Sequence, residues 1–297
     1  MSTRVEHDPI AAASALAEFI QSHGPITVLT GAGISTESGI PAYRDGRGQW
    51  QRPQPVQHRD FMSQDLTRQR YWARSLIGWP VMQQAQPNLA HQCLADLEHS
   101  GYITGIITQN VDRLHQSAGA RAVLDLHGRA DEVICMNCGY RCERAQMHAW
   151  CRDLNPEFAA YEAQAAPDGD ADLETDFTGF QVAPCPQCGG ILKPDVVYFG
   201  DHVPGERVAQ ARAWLSFSGG LWVIGSSLMV FSGFRFCRQA HAENQPICSL
   251  NLGQTRADDL LTLKLDCTIN PVLQGLMAQL QPARTGGPSL WSSSTAS

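Results

Sequence analysis

The sequence predicts an α/β protein in which a parallel sheet, covered by helices on both faces, carries a smaller inserted domain. Three features indicate this fold: brief apolar runs that end in small or polar residues, helix-compatible segments between several of them, and two interruptions of different composition. Apolar strands that alternate with helices are typical of a parallel sheet buried on both sides. In such sheets, ligands bind at the carboxyl ends of the strands.

The first predicted element is a helix over residues 11–22, with Leu16, Phe19 and Ile20 on one side and Gly24 as its end. Seven apolar runs follow as predicted strands, at residues 26–30, 102–110, 122–128, 191–200, 221–227, 246–253 and 265–269. Five of these runs end in TGAGIS, TQNVD, LHG, GSS and NLG. We expect these five ends to meet in one crevice.

Two stretches interrupt the alternation and define the predicted domains. We expect residues 1–47, 89–134 and 190–283 to form the parallel-sheet domain. Residues 48–88 are expected to supply a helical segment, and residues 135–189 a cysteine-bearing ribbon, to the small domain. The acidic, alanine-rich segment 156–176 is predicted to be a flexible solvated loop, and residues 284–297 a flexible tail.

Composition argues against two classes of protein. The 297 residues carry a net charge of −7, whereas a nucleic-acid-binding protein usually shows a basic face. No apolar run approaches the ~20 residues of a membrane helix, so no membrane partner is expected. The N-terminus lacks the pattern of a signal or transit peptide. Ten cysteines without such a signal indicate a reducing compartment, and we expect the cytoplasm.

Gly31 and Gly33 directly follow the predicted strand 26–30. Backbone N–H groups and missing Cβ atoms favour a phosphate at such a turn, and Arg44 can add a charge-assisted contact to a diphosphate. A tight turn before a helix explains the same glycines without a ligand. Thr36 stands where the ordinary dinucleotide fingerprint has its third glycine.

Two Cys-x-x-Cys pairs predict a structural zinc site. Cys135 and Cys138 form the first pair, Cys185 and Cys188 form the second, and a glycine follows each pair. Four thiolates suit tetrahedral zinc with every position filled. Four unrelated core cysteines are the alternative, and Cys142 stays open as a substitute ligand.

In combination, these motifs resemble the sirtuins. The resemblance covers nearly the whole chain through GAGISTESGIPAYR, TQNVDRLH, LHG, the cysteine pairs, KPDVVYFGD, GSSL and NLG. It implies a Rossmann-like sheet domain with an inserted zinc-binding domain, and NAD and one structural zinc ion as cofactors. The implied reaction removes an acyl group from a protein lysine and yields nicotinamide and O-acyl-ADP-ribose. The stretch RQRYWARSLIGWP (68–80) resembles the class II branch that contains the mitochondrial sirtuin-4 type.

The resemblance also implies roles for individual residues. His127 matches the catalytic histidine, and Asn110 is assigned to catalysis beside it. A neutral imidazole near pH 7 can take a proton from a ribose hydroxyl. The acyl-lysine strand is expected to add to the segment of Val197, Phe199 and Gly200. The implied cofactor-binding residues are Gly31, Ala32, Gly33, Tyr43, Arg44, Gln109, Asn110, Val111, Asp112, Gly225, Ser226, Asn251 and Cys267.

Tyr71 and Arg74 lie three residues apart in a segment that we expect to be helical, so both lie on one helix face. The pair resembles the Tyr-x-x-Arg arrangement with which class II sirtuins bind acidic acyl groups. A packed Tyr71 with a solvated Arg74 is the alternative. A larger pocket can be lined by Leu76, Ile77, Trp79 and Met82. We therefore expect a preference for longer or carboxylate-bearing acyl groups over acetyl.

Two other functions stay open at this level. In mono-ADP-ribosyl transfer, the same cleavage of NAD delivers ADP-ribose to a protein nucleophile. A zinc-dependent NAD-sensing or scaffold protein is a non-enzymatic alternative. The combination of Asn110, Asp112 and His127 argues against this second alternative, because binding alone needs no base.

Overall fold

The computed structural model describes residues 3–43, 47, 49, 55–163 and 166–280. Its strands, in chain order, are β1 (Arg4–Glu6), β2 (Ile26–Thr30), β3 (Ile103–Thr108), β4 (Val123–Asp125), β5 (Gly128–Cys135), β6 (Arg141–Glu143), β7 (Leu192–Val196), β8 (Leu221–Ile224), β9 (Ile247–Leu250) and β10 (Leu263–Leu265). Seven of them form a sheet in the order β1-β10-β9-β8-β2-β3-β4. Every pairing within this sheet is parallel.

Helices connect most of these strands. They are α1 (Pro9–His23), α2 (His58–Ser63), α3 (Asp65–Gln84), α4 (Leu89–His99), α5 (Leu114–Ser117), α6 (Arg144–Leu154), α7 (Gly205–Ser216), α8 (Phe231–Ala242) and α9 (Ile269–Leu280). The helix predicted at residues 11–22 is α1. Asp8 caps it by accepting a hydrogen bond from Ala11 N–H at 2.8 Å, and Gly24, with φ at 70°, ends it. In the part of the chain that the structure describes, no helix has the length and apolarity to cross a membrane.

Val28 and Leu29 show that helices cover both faces of the sheet. They are neighbours on β2, so their side chains point to opposite faces, and both are fully buried. Val28 packs in a core cluster with residues of α1, α4 and α9. Leu29 packs in a second cluster with residues of α7 and α8. The predicted two-sided burial of the parallel sheet is therefore confirmed.

The segment predicted as a strand at 191–200 does not join the parallel sheet. Its strand, β7, pairs antiparallel with β5 in a three-stranded sheet of order β6-β5-β7. An apolar run predicts burial but not the direction of its partner. Pro194 has no N–H, and it lies on a strand at the edge of this sheet, where proline is tolerated. The strand β1 was not predicted.

The small sheet packs with a helical group around its own core. Phe61 of α2, Trp72 of α3 and Met147 of α6 are fully buried there with Val133 of β5. The helix predicted around residues 68–80 is α3, which continues through Pro80. The domain boundaries predicted from the sequence stay a prediction.

The segment 156–176, described except for residues 164 and 165, is exposed at residues 156, 157 and 159–162 but has several buried residues from 166 onward. Ala171 and Leu173 are buried, and Asp170 forms an ion pair with Arg74 of α3. A Cβ atom at Gly78 of α3 would lie 1.9 Å from the Asp170 carbonyl oxygen, so this close packing requires glycine. The acidic composition predicted solvent exposure, but Arg74 of α3 provides a buried positive charge that pairs with Asp170. The tail predicted at residues 284–297 lies outside the described residues.

Gly128 begins β5 and lets this strand approach β7 closely. Its φ is 86°, and a Cβ atom would lie 2.0 Å from the Asp195 carbonyl oxygen. The preceding carbonyl, that of His127, accepts a hydrogen bond from Val197 N–H at 2.8 Å. The chain leaves the large sheet and enters the small sheet at His127, and the hydrogen bond to Val197 fixes the backbone of His127 there.

We predict that Gly128→Ala destabilises the protein by at least ~2 kcal/mol, because alanine adds both left-handed strain and a clash with Asp195. Thermal or denaturant unfolding measures this effect. Gly179→Ala is the control, since its φ is not positive and no atom lies within 4 Å of the added Cβ. Equal stability of the two variants would contradict the assignment.

Candidate functional site

A cavity of about 660 Å³ lies at the carboxyl ends of the parallel strands. It falls within the size range of ligand pockets. The structure brings into its lining most of the residues that the resemblance implied: Gly31, Ala32, Gly33, Tyr43, Gln109, Asn110, Val111, Asp112, His127, Val197, Phe199, Gly200, Gly225, Ser226, Asn251 and Cys267. Arg44 lies outside the described residues.

The glycine-rich segment packs against the loop that follows β8. Residues Ala32–Ser38 form a 3-10 helix, and Gly33 N–H donates to the Gly225 carbonyl at 2.9 Å. A Cβ atom at Gly31 would lie 2.7 Å from the Ser226 Cβ, and one at Gly33 would lie 2.9 Å from the Gly225 Cα. Contact between the two loops therefore requires both glycines. Packing alone explains these residues, whether or not a phosphate binds beside them.

Asn110 and Asp112 are joined through a hydroxyl that the sequence analysis missed. Asn110 Nδ2 donates to Ser35 Oγ at 3.1 Å, and Ser35 Oγ donates to Asp112 Oδ2 at 2.7 Å. Burial raises the pKa of Asp112, although Leu114 N–H and Ser35 favour its charged form. Its position inside the glycine-rich segment was the only sequence signal for Ser35.

Hydrogen bonds define the tautomer of His127. Its Nδ1 lies 2.9 Å from the Gln109 carbonyl oxygen, which can only accept, so Nδ1 carries the proton. Nε2 is then an acceptor, and Ser232 Oγ donates to it at 2.8 Å. Ser232 was not predicted, because nothing local in the sequence links α8 to a histidine 105 residues earlier.

Burial is the main cause of the low pKa of His127. It lowers the pKa to about 4, while the Gln109 carbonyl acts in the opposite direction. The positive charges of Arg207 and Arg235 lower the pKa further. The imidazole is therefore neutral at pH 7, with its Nε2 lone pair directed into the cavity wall beside Ser232.

The segment after β7 forms one wall of the cavity. Phe199 accepts a hydrogen bond through its carbonyl from His58 N–H at 2.8 Å, and it forms a parallel bridge with Gln57. Asp201 at the end of this wall pairs with His58 at 3.2 Å. The start of α2 thus supports the segment that was expected to receive an acyl-lysine strand.

Tyr71 and Arg74 do not line the cavity. Arg74 is 8% exposed and pairs with both carboxylate oxygens of Asp170, at 2.8 and 3.0 Å. Tyr71 packs edge-on against Phe61 and beside Tyr198. The prediction of Arg74 as a ligand-binding cation stays a prediction; in this structure Asp170 already supplies a carboxylate to Arg74. Of the four residues expected to enlarge the pocket, Met82 lines the cavity.

The two cysteine pairs form matching turns. Cys135 and Cys185 each accept at their carbonyls a hydrogen bond from the glycine four residues later, at 3.0 and 2.8 Å. These glycines, Gly139 and Gly189, both have positive φ. The pairs thus present their thiols from equivalent turns at the ends of β5 and β7.

All four sulfur atoms lie within 4.8 Å of one another. The shortest separations are 3.6 Å between Cys135 and Cys188 and 3.7 Å between Cys138 and Cys185. Tetrahedral zinc at ~2.3 Å from each sulfur needs sulfur atoms about 3.8 Å apart, so the cluster fits a zinc ion. Burial raises the pKa of Cys135, but N–H groups of Cys138 and Asn137 bring it down to about 6, which favours a thiolate.

A crevice at the strand ends, a neutral histidine and a cysteine cluster that fits zinc define a Rossmann-like α/β protein with a built ligand site. A model of the Sir2 family matches residues 31–232. Because that match covers more than half of the chain, the chain belongs to the Sir2 family, the sirtuins.

Two curated relatives and a solved structure illustrate this similarity. The chain is 56% identical over 252 residues to an NAD-dependent protein deacetylase of Xanthomonas axonopodis pv. citri, covering 84% of this chain and 86% of that protein. It is also 56% identical to NAD-dependent protein deacetylase 2 of Bradyrhizobium diazoefficiens, covering 84% and 92%. A structure of Sir2 with a p53 peptide and NAD+ has a TM-score of 0.70 and 28% identity, covering 89% and 97%.

We predict one zinc ion per chain and its loss in Cys138→Ala. Metal binding and folding are coupled with an apparent ~10–16 kcal/mol in small zinc domains, so this variant should also lose the fold of the small sheet. Elemental analysis and circular dichroism measure both effects. Cys142→Ala is the control, because Cys142 lies outside the cluster of four. Zinc loss in that control would make Cys142 a ligand.

We predict that kcat/KM stays level as the pH falls below about 6.5 and decreases only towards about 4. A base must be unprotonated, and His127 with a pKa of about 4 stays unprotonated throughout that window. The same depressed pKa removes folding stability as the pH falls from about 6.5, because the unfolded chain binds the proton first. Unfolding is therefore measured in parallel. An activity loss centred near 6.5, without unfolding, would contradict this prediction.

Proposed function

We propose that the protein is an NAD-dependent protein-lysine deacetylase. The observation that carries this proposal is the neutral imidazole of His127, which is held by Gln109 and Ser232 in the same crevice as the Asn110–Ser35–Asp112 network. The names of the relatives support NAD and an acetylated protein as its ligands. The similarity of residues 68–80 to class II sirtuins supports placement in that branch. Ten cysteines without a disulfide support the cytoplasm.

The chain's own groups can bind a dinucleotide and move one proton. When bound, NAD supplies the ADP-ribose that accepts the acyl group, with nicotinamide as the leaving group. Gln109 is fixed by hydrogen bonds from its Nε2 to Ser226 Oγ at 2.8 Å and to the Thr30 carbonyl at 3.2 Å. It thereby holds its own carbonyl against His127. A base that is pre-oriented in this way loses little freedom when it acts.

His127 takes up a proton at Nε2. The imidazolium then has an acceptor at each nitrogen, the Gln109 carbonyl at Nδ1 and the rotated hydroxyl of Ser232 at Nε2. In the part of the chain that is described, no carboxylate pairs with this ring. Two neutral acceptors stabilise the cation less than a carboxylate does, so the proton is readily passed on.

The preferred acyl group is neutral, and its chain can be longer than acetyl. Asp170 forms an ion pair with Arg74, and Asp172 and Glu174 lie 3.8 and 3.6 Å from the same guanidinium. The positive charge of the Tyr-x-x-Arg pair is therefore already neutralised. The cavity lining extends to Met82, Pro167 and Tyr198, which are suited to apolar carbon chains. No feature of the described site favours ADP-ribosyl transfer to a protein.

We predict that the protein deacylates acetyl-lysine and longer neutral acyl-lysine peptides with NAD, and that glutaryl-lysine is the poorest substrate. Mass spectrometry of O-acyl-ADP-ribose measures each reaction on one peptide sequence. His127→Ala should retain NAD binding and lose ~10²–10⁴ in rate. Faster turnover of the glutaryl peptide would refute the neutral-acyl preference. Full activity of His127→Ala would refute the assigned base.

A further inference from the structure

Arg235 presents an uncompensated positive charge at the cavity. It lies on α8 and lines the same cavity as His127. Its Nε atom is buried and has no hydrogen-bond partner among the described residues. The described carboxylates form no ion pair with it, and its charge is the smallest of the causes that lower the pKa of His127. A guanidinium in this state is suited to an anionic partner from outside the chain.

An exposed aromatic ring holds this guanidinium in place. The Phe231 ring is 48% exposed, and the Arg235 guanidinium carbon lies 5.4 Å from its centroid. A cation–π contact of this kind does not use the N–H donors of a guanidinium in hydrogen bonds. These donors match the geometry of a carboxylate, which they can bind with two parallel hydrogen bonds.

Arg256 supports the same surface. Its guanidinium carbon lies 4.6 Å from the centroid of Phe234 and 6.0 Å from that of Phe231, and it donates to the Met229 carbonyl at 3.2 Å. It therefore adds a second cation beside Phe231 and braces the loop before α8. Together, Phe231, Arg235 and Arg256 form a basic rim on a chain whose net charge is −7.

The opposite wall of the cavity leaves this rim without a competing carboxylate. That wall is the segment of Val197, Phe199 and Gly200, and the acid that follows it, Asp201, lies 3.2 Å from His58 Nδ1. A protein segment that enters between the two walls passes the exposed ring of Phe231. Because Phe231 lies at the surface, a side chain that flanks the reacting lysine can reach Arg235.

We propose that Arg235, in cation–π contact with Phe231 and supported by Arg256, binds the carboxylate of an Asp or Glu side chain close to the acylated lysine. The substrate class is then an acyl-lysine segment with an acidic flanking residue. This inference rests on the proposed deacylase function. The contact forms at the rim, so it acts on KM more than on kcat.

The test uses three acetyl-lysine peptides that differ only in one flanking residue, placed in turn on each side of the lysine: Glu, Gln or Lys. A hydrogen-bonded charge pair at a partly exposed site predicts about tenfold higher kcat/KM for the Glu peptide than for the Lys peptide in at least one position. The difference should appear in KM and shrink with added salt. Arg235→Glu should reverse the ratio, favouring Lys.

Arg238→Glu is the matched control. It makes the same charge change on the same helix, at an exposed residue that does not line the cavity. Comparing two peptides on one variant cancels any change in the basicity of His127. In this control, the ratio of kcat/KM between the Glu and Lys peptides should equal that of the wild type. A reversed ratio would show that the overall charge of the helix, and not direct contact with Arg235, selects the peptide, and it would overturn the inference.

The outcomes separate the two proposals. If the wild type turns over no peptide, the proposed function fails. If it turns over all three peptides equally at every position, the function stands and the acidic-substrate inference is overturned, whether or not the Arg235 variant folds. An unchanged Glu-to-Lys ratio in a folded Arg235→Glu variant, judged by its melting temperature and zinc content, also overturns the inference.

Discussion

The hydrogen bond from Val197 N–H to the His127 carbonyl ties the two sheets together at the histidine that lines the cavity. On the chain, His127 lies between β4 of the large sheet and β5 of the small one. Gly128 permits the close approach that this bond requires. Because the backbone is fixed here, the imidazole meets Gln109 at the end of β3, and the substrate-side wall begins one residue beyond β7. A zinc ion bound by the four cysteines would hold the far ends of β5 and β7 together.

Two buried arginines around the small sheet, Arg144 and Arg74, form contacts within the protein. Arg144 is buried and forms no ion pair with a carboxylate of the described residues. Its guanidinium carbon lies 4.5 and 5.2 Å from the ring centroids of Trp72 and Trp79, and it donates to Ser75 Oγ. Burial lowers its pKa. Arg74 forms an ion pair with Asp170. A ligand carboxylate would have to displace Asp170, whose loop also packs against Gly78, and removing one partner of a buried pair is costly.

The spacing of residues in short motifs predicted those features of the structure that are formed by residues close together in the chain. The cysteine pairs, the glycine turn and the LHG stretch follow from short motifs, and the strand ends met in one cavity as expected. The contacts that were not predicted involve partners distant in the chain. Asp170 lies 96 residues from Arg74, and Ser232 lies 105 residues from His127. The apolar pattern of 191–200 was likewise correct about burial, but it carried no information about which sheet the strand joins.

The two cations near His127 connect substrate binding with the basicity of that ring. Burial keeps His127 neutral in the free protein, and the positive charges of Arg207 and Arg235 lower its pKa further. A carboxylate that binds Arg235 offsets part of this positive charge and thereby raises the proton affinity of Nε2. By linkage, the acidic substrate segment and the proton on His127 favour each other. Burial remains the main cause of the low pKa of His127, so this coupling is small and the flanking carboxylate acts chiefly on KM.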